Sequence, residues 1–223
     1  MTDEGRAQVS LAEEAYRRIE EMIVTRVLKA GAMISEKRLA EEVGCGRTPV
    51  REALQRLKLE GYIEIHPSRG IQVSSLDIFR QFELLEVRRP LEDLMVKLAA
   101  ERATASERIQ LGELVERLET AASGKVRASY LDANRSIHET LANATRNSIL
   151  ANSIGVLHGL SRKFWYGYIE DEDVFETAAR LHGRTVHAVI ARDPHGASNH
   201  AADFLSFLEK LTRKALNDRT RSG

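Results

Sequence analysis

The 223-residue chain has little cysteine, little proline and few aromatic side chains. Its single cysteine, Cys45, excludes an internal disulfide, so nothing in the sequence requires an oxidising compartment. A chain of this length buries roughly 70 % of its extended surface on folding, so a core forms without disulfides or a structural metal. Apolar runs of the roughly 20 residues that span a bilayer are missing, and residues 1–22 lack a signal-peptide core. These absences favour a cytoplasmic protein with no membrane partner.

Net charge is absent overall but present locally. The 33 basic and 33 acidic residues cancel, which argues against a protein that coats nucleic acid without sequence preference. Residues 46–58, however, contain four basic side chains and one acidic side chain, a local charge of +3. The sequence therefore contains a basic stripe inside a neutral chain.

The N-terminal third of the chain changes its hydrophobic period once. Three helices are predicted first, at residues 10–31, 35–44 and 46–61. After them, residues 62–66 and 70–74 alternate apolar and polar side chains around a turn, which is typical of a β-hairpin. Three helices followed by a hairpin predict a winged helix-turn-helix domain over residues 1–74.

Beyond residue 74, every segment has the period of a helix and no strand is predicted. Helices are expected at residues 77–103, 106–122, 127–145, 147–168, 173–192 and 195–217. The first of them is expected to bend before Pro90, which cannot donate a backbone hydrogen bond. The predicted fold is thus mostly α, with an all-α helical bundle at residues 75–223 after the winged helix-turn-helix.

Basic residues of the third helix stand where a helix-turn-helix contacts DNA. The recognition helix enters the major groove with its first turn, and arginine pairs there with O6 and N7 of guanine. That turn contains Arg47, Thr48 and Arg51. Arg69 lies at the hairpin tip and Gly70 permits close approach of the backbone, so the wing is expected to reach the minor groove. A solvated basic face with no nucleic-acid partner is the alternative, but it does not explain where the charges lie.

Several segments of the chain resemble a known family. The first half contains SEKRLAEEVG (35–44), RTPVREALQRL (47–57), EGYI (60–63) and RG (69–70). The second half contains VRRPLE (87–92) and LAAERA (98–103), and then Ile137, His138, Leu141, Ala142 and Asn147. These segments resemble the GntR family of bacterial transcription regulators, and the second half resembles the FadR-type ligand-binding domain of that family. The resemblance covers nearly the whole chain.

The resemblance implies a set of DNA contacts on the second helix, the third helix and the wing. The matching residues are Lys37, Arg38, Arg47, Thr48, Pro49, Arg51, Arg69 and Gly70. Gly46 departs from the serine usual in the family, which removes a hydroxyl that would contact phosphate. Glycine is still an acceptable helix N-cap, so the third helix itself is not in doubt.

Six of the seven histidines lie in the predicted bundle, where they raise the question of a metal site. Asn134 and His138 are four residues apart and share one helix face, and His182 lies on a later helix. In metal-binding members of the family, an Asp or Asn and three histidines converge in the bundle. By similarity, these three residues match three of the four positions. The fourth position falls at Phe204, which cannot ligate a metal.

Several interpretations of these polar residues remain open. Asn134, His138 and His182 either hold a divalent metal ion such as Zn or Ni, line a metal-free pocket, or belong to the core. Together with Arg88 they are expected to bind an effector, because a half-buried arginine can hold a carboxylate through two hydrogen bonds. An ion pair with Glu92, or a contact to the DNA-binding domain, is the alternative for Arg88. Four aromatic residues are expected in the core or a dimer interface rather than against a ligand, namely Phe164, Trp165, Tyr166 and Tyr168.

The sequence predicts a ligand-responsive transcription regulator. A homodimer is expected to bind a palindromic DNA operator, because one recognition helix covers only a few base pairs. The bundle is expected to dimerise and bind a small organic acid, and repression is favoured over activation. A metal-dependent enzyme that uses the histidine cluster is the competing class, but it lacks a complete ligand set, a nucleophile elbow and a phosphate loop. A DNA-architectural protein with no effector is the third class.

Overall fold

The computed structural model describes residues 10–67, 69–75, 77–168 and 173–221, with side chains throughout except at 166–168 and 219–221. The chain divides into two compact units, Met1–Leu76 and Asp77–Gly223. The first combines three helices with a small sheet and the second is helical, which confirms the predicted fold class. Among the described residues, no helix combines the length and the apolar character that crossing a membrane requires.

Three helices form most of the first unit: α1 (Leu11–Val24), α2 (Glu36–Val43) and α3 (Arg47–Leu59). Serine hydroxyls cap two of them, because Ser10 Oγ accepts from the N–H of Glu13 at 3.1 Å and Ser35 Oγ accepts from the N–H of Arg38 at 3.2 Å. Gly44 ends α2 in the left-handed conformation, with φ at 64°. The apolar faces of the helices meet in a core that includes Ile19, Leu39, Val50, Leu54 and Leu57.

The first helix is shorter than predicted. The apolar pattern continues to Gly31, but α1 ends at Val24 because Arg26 adopts a left-handed conformation with φ at 61°. The next apolar position, Val27, is 67 % exposed, whereas Leu28 returns to the core. The apolar periodicity of the sequence continues beyond the last residue of the helix, so the predicted end at residue 31 is wrong.

The hairpin is part of a three-stranded antiparallel sheet. Its strands are β1 (Met33–Ile34), β2 (Ile63–His66) and β3 (Gly70–Val73), in the order β1–β3–β2. The two-residue strand β1 was not predicted, because two residues show no alternation. Gly70 has φ at 106°, and a Cβ there would lie 2.9 Å from the carbonyl oxygen of Ile34. Only glycine fits at this end of the hairpin, where β1 crosses close to β3.

Six helices form the second unit, and no strand occurs among its described residues. They are α4 (Ile78–Arg102), α5 (Ala105–Ser123), α6 (Arg127–Ala144), α7 (Ser148–Tyr168), α8 (Asp173–Ile190) and α9 (Pro194–Arg221). Pro90 lies inside α4, which is one helix from residue 78 to residue 102. Helices α4 to α9 share an apolar core that includes Met95, Leu111, Leu118, Ile137 and Ala197. This bundle positions the polar residues considered below.

Candidate functional site

The residues expected to contact DNA lie at the surface of the first unit. Side chains of α2, α3 and the wing are exposed at Lys37, Arg38, Arg47, Thr48, Arg51 and Arg69. Pro49 and Gly70 are half-buried. Pro49 occupies the first turn of α3, where its missing N–H leaves no helix hydrogen bond unmade.

These basic side chains differ in their partners within the protein. Arg51 Nε donates to both carboxylate oxygens of Glu36 at 2.9 Å, which joins α3 to α2. Arg38 pairs with Glu42 on its own helix at 2.7 Å. Within the described residues, the side chain of Arg47 has no hydrogen bond or ion pair. Arg47 is therefore unengaged within the described part of the protein, whereas Nε of Arg51 is bound to Glu36.

A pocket opens in the second unit, and together with the open solvent at its mouth it holds about 530 Å³ that no protein atom fills. One wall is mostly polar and comes from α4, α6 and α7, with Arg88, Asn134, His138, His158, Ser161 and Arg162. The facing wall is apolar and comes from α8 and α9, with Val174, Phe175, Ala178, Phe204, Leu208 and Leu211. Tyr130, Leu131 and Trp165 complete the lining.

Arg88 lies at the centre of the polar wall and is 2 % exposed. Its Nε donates to Glu92 Oε2 at 2.7 Å, and its Nη1 donates to Ser161 Oγ at 3.2 Å. Its Nη2 lies 3.5 Å from Nε2 of His138. A buried guanidinium needs a counter-charge, and Glu92, four residues later on α4, provides it.

Glu92 is ionised and holds His158 in one tautomer. Burial by itself raises the pKa of the Glu92 carboxyl, but the charges and hydrogen bonds of Arg88 and His158 bring it well below its usual range. Oε2 of Glu92 lies 2.9 Å from Nε2 of His158. Because a carboxylate only accepts, His158 carries its proton on Nε2. Burial lowers the pKa of His158 to about 4 despite the opposing effect of Glu92, so the ring is neutral at pH 7.

His138 is neutral and faces Arg88 with a lone pair. Burial lowers its pKa well below the usual value, and the neighbouring His158 and His182 rings lower it further. Since a guanidinium only donates, Nε2 of His138 accepts from Arg88 and the ring proton is on Nδ1. Within the part of the chain that the structure describes, Nδ1 of His138 has no hydrogen-bond partner. A buried donor is left without an acceptor beside the pocket.

The histidine rings stack in a row that ends on Phe204. Ring centroids of His138 and His158 are 3.7 Å apart, and those of His138 and His182 are 4.7 Å apart. The Phe204 ring lies parallel to that of His182 at 5.0 Å. Burial lowers the pKa of His182 to about 4, and neither of its ring nitrogens has a partner among the described residues.

The structure brings most of the expected effector residues together. Arg88, Asn134 and His138 line the pocket, and His182 packs beside His138. Arg88 also forms the ion pair with Glu92 that was its alternative role. The sequence interpretation gave no site role to His158 and treated Glu92 only as that partner. A usable signal was the polar stripe at helical spacing on α7, formed by His158, Ser161, Arg162 and Trp165.

The aromatic cluster differs in part from its expected position. Phe164 is 3 % exposed and belongs to the core. Trp165, however, lines the pocket, and its Nε1 donates to Ser161 Oγ at 3.1 Å. Trp165 also packs against the apolar cluster of Leu85, Phe204 and Leu208, so its core role stands beside its place in the pocket wall. The side chains of Tyr166 and Tyr168 lie outside the described residues.

The polar wall does not fit a divalent metal ion. One group of described donors, Glu92, His138 and His158, has ligand atoms within 4.8 Å of one another. Two of these donors already contact the Arg88 guanidinium, and the third donates to the same carboxylate oxygen. A metal ion there would displace Arg88 and leave a buried positive charge beside the ion.

The ligand set implied by the family resemblance fits no better. Asn134, His138 and His182 offer no charge to neutralise a divalent ion. At the fourth position, Phe204 presents the face of its ring to His182 instead of a ligand atom. The arrangement is better suited to hydrogen bonding an anion than to coordinating a cation.

Comparisons with known families and proteins agree with this two-part structure. The family described as "Bacterial regulatory proteins, gntR family" matches residues 11–73, and the family described as "FCD domain" matches residues 83–207. Among solved structures, Escherichia coli McbR/YncC has a TM-score of 0.79 and 25 % identity, over 93 % of this chain and 99 % of that chain.

Two relatives are similar over most of their length. "Uncharacterized HTH-type transcriptional regulator YdhC" of Bacillus subtilis (strain 168) is 27 % identical over 186 residues, 83 % of each chain. The "Glc operon transcriptional activator" of Escherichia coli (strain K12) is 26 % identical, covering 94 % of this chain and 91 % of its own. With a DNA-binding unit, a ligand-binding regulatory unit and regulators as relatives, the protein is not an enzyme. This chain is a DNA-binding transcription regulator that belongs to the GntR family and has an FCD domain as its second unit.

Proposed function

We propose that the protein is a homodimeric repressor that binds a palindromic operator and leaves it when a small organic acid fills the FCD pocket. The observation that carries the proposal is the buried guanidinium of Arg88, which lines the pocket beside His138, whose Nδ1–H has no partner in the described part of the chain. Guanidinium and N–H donors together bind an oxyanion through charge-assisted hydrogen bonds. An acid effector satisfies buried donors that have no acceptor among the described residues.

Operator recognition is assigned to the exposed basic residues of the first unit. Arg47 and Arg51 lie in the first turn of α3, which enters the major groove in helix-turn-helix proteins. Arg69 lies beside the tight turn of the wing, where it reaches phosphates or the minor groove. Lys37 and Arg38 on α2 support phosphate contacts. Two such units, each bound to one half-site, discriminate between DNA sequences far better than one unit does. This is the reason for a dimer on a palindrome. A protein that acts on chromosomal DNA belongs in the cytoplasm.

Selection of bound DNA tests this function. Full-length protein is incubated with sheared genomic DNA of the source organism, and the retained fragments are sequenced. We expect a short palindromic motif whose half-sites are about 10 base pairs apart, centre to centre. Sedimentation of the complex should show two chains for each site. Fragments without a shared motif, or one chain on each site, would contradict the proposal.

Activation is the second candidate, because one similar protein is an operon activator. A transcription assay in vitro separates the two, with the selected operator placed at its native distance from the promoter. A repressor lowers the transcript yield and an activator raises it. An Arg47→Ala protein serves as the control for effects that do not require operator binding.

A further inference from the structure

We propose that the FCD pocket binds, without a metal ion, a monocarboxylate that carries an apolar or aromatic body. The Arg88 guanidinium supplies hydrogen-bond donors to the carboxylate, which a metal ion would otherwise coordinate. This inference rests on the proposed function only where it concerns the effect of the acid on operator binding. Binding of the acid to the pocket is measured separately.

The carboxylate head is assigned to Arg88 and His138. A guanidinium has five N–H groups, and those of Arg88 reach only Glu92, Ser161 and His138 among the described residues. The guanidinium has more N–H groups than these three contacts use, and Arg88 lines the pocket. His138 adds an Nδ1–H that has no acceptor among the residues that the structure describes. Planar paired donors are the geometry that a carboxylate accepts best.

The charge of the site favours one negative charge and disfavours a metal ion. Arg88 and Glu92 neutralise each other, and the three stacked histidines are neutral at pH 7. Arg162 on the same wall contributes to the positive field that lowers the pKa of His138 and His158. A divalent cation beside the Arg88 guanidinium is repelled by it, whereas a monoanion in the same place is attracted.

The body of the ligand is assigned to the opposite wall. Every lining residue of α8 and α9 is apolar, including Phe175, Phe204 and Leu211. The Phe204 ring lies 5.9 Å from the guanidinium carbon of Arg88, so apolar surface begins directly beside the head. A second carboxylate or a phosphate on the ligand would lose its water against this wall and gain no partner. An alkyl or aryl group is therefore favoured over a second charged group at this wall.

The binding test uses full-length protein dialysed against a strong chelator. Calorimetry measures a series of probes: straight-chain carboxylates from acetate to decanoate, phenylacetate, its neutral isostere phenylacetamide, and citrate. We expect affinity to rise with chain length and phenylacetate to bind at least tenfold more tightly than phenylacetamide or citrate. Added Zn²⁺ or Ni²⁺ should change the affinity for phenylacetate less than twofold. The inference is overturned if no monocarboxylate binds without metal, or if metal makes citrate the preferred probe.

Variants locate the two parts of the ligand. The double variant Arg88→Met/Glu92→Met removes both buried charges at once, and it should lose the preference for phenylacetate over phenylacetamide. Leu211→Gln should weaken phenylacetate at least threefold, whereas Lys210→Ala, an exposed neighbour on α9, should not. Should the double variant fail to fold, the comparison of acid with amide in the unaltered protein still decides the matter.

Operator binding in the same samples separates this inference from the function on which it rests. Binding of phenylacetate that leaves operator affinity unchanged would contradict the proposed regulation but support the assigned ligand class. Release of the operator only by citrate together with a metal would support the regulation and overturn the ligand class.

Discussion

At the scale of single residues, Arg47 and Arg51 share the first turn of α3 but differ in what they already contact. Replacing either with alanine should cost about 1–3 kcal/mol in operator binding and relax base preference locally, because each arginine discriminates guanine through two hydrogen bonds. Gel-shift titrations against operators with single base changes measure both effects. Arg117→Ala on α5, exposed and in the other unit, is the matched control. An equal loss of affinity for random DNA would show that both arginines contact phosphates and not bases.

The Arg51–Glu36 pair makes a further test of the same prediction. Glu36→Gln removes the carboxylate that now holds Arg51, so Arg51 has no ion pair to break on binding DNA. Operator affinity should therefore increase, by a factor that falls as salt is added. Unchanged affinity at low salt would mean that Arg51 stays on Glu36 in the complex.

Arg69 is predicted to act differently, as a contact to the DNA backbone. Arg69→Ala should weaken binding evenly across sequences and reduce the slope of log affinity against log salt by about 0.9, the value for one lost phosphate neutralisation. Gel shifts at four salt concentrations give the slope. If the slope equals that of the unaltered protein, Arg69 of the wing does not contact a phosphate.

Residue types and helix spacing were enough to place part of the pocket. Arg88, Asn134 and His138 were identified because each lies at a position that matches a family motif. His158 was not assigned, since its contact with Glu92 joins residues 66 positions apart, and helix spacing carries no information about that distance. Only the packing of α7 against α4 brings the two together. Cross-helix partners of this kind follow from tertiary structure.

At the scale of elements, α5 begins with a capping box. Thr104 Oγ1 accepts from the N–H of Glu107 at 3.2 Å, and Glu107 Oε2 accepts from the N–H of Thr104 at 2.9 Å. Thr104→Ala should lower the free energy of unfolding by about 1 kcal/mol. Urea titration followed by circular dichroism measures the change. Thr120→Ala, at an exposed position of the same helix, should have little effect, and an equal loss there would refute the cap as the cause.

Helix starts were predicted better than helix ends. Ser10, Ser35 and Thr104 carry side chains that cap a helix, and a capping residue is visible in a sequence. The end of α1 was harder, because this helix is followed by a left-handed residue that is not glycine, Arg26. Its positive charge suits a helix C-terminus, but arginine is common inside helices too, so the pattern showed no stop.

At the scale of the whole molecule, the second unit should fold without the first. Deletion of residues 1–74 leaves 149 of the 223 residues and the complete core of α4 to α9. We expect a helical, dimeric fragment that does not bind the operator. Circular dichroism and sedimentation provide the measurement. A folded monomer would place the dimer contacts in the first unit, and an unfolded fragment would mean that the units depend on each other.

Acid should destabilise the protein through its buried histidines. In the unfolded chain histidine takes up a proton near pH 6.5, whereas burial lowers the pKa of His158 and His182 to about 4. The unfolded state therefore binds more protons between these values. The contribution of these two histidines to the free energy of unfolding is fully present above pH 6.5. It falls as the pH drops towards 4, by up to about 1.4 kcal/mol per pH unit for each histidine.

Comparison with one histidine removed isolates this effect. His182→Phe should make the loss of stability between pH 6.5 and pH 5 shallower by about one proton, as measured by urea unfolding at each pH. His195→Gln is the control, because His195 is exposed on α9. Identical slopes for the unaltered protein and His182→Phe would show that His182 is protonated equally in both states.

The position of Trp165 allows its intrinsic fluorescence to report on the contents of the pocket. It is the one tryptophan in the sequence, it lines the pocket, and its indole N–H donates to the Ser161 hydroxyl that also accepts from Arg88. Light at the red edge of the tyrosine absorption band excites the indole and not the tyrosines. The fluorescence of the protein then comes from Trp165, in one wall of the cavity. A molecule that enters there alters the polarity around the ring and the hydrogen bond that it donates. Stopped-flow fluorescence can therefore time the filling of the cavity without any attached dye, and separately from the departure of DNA.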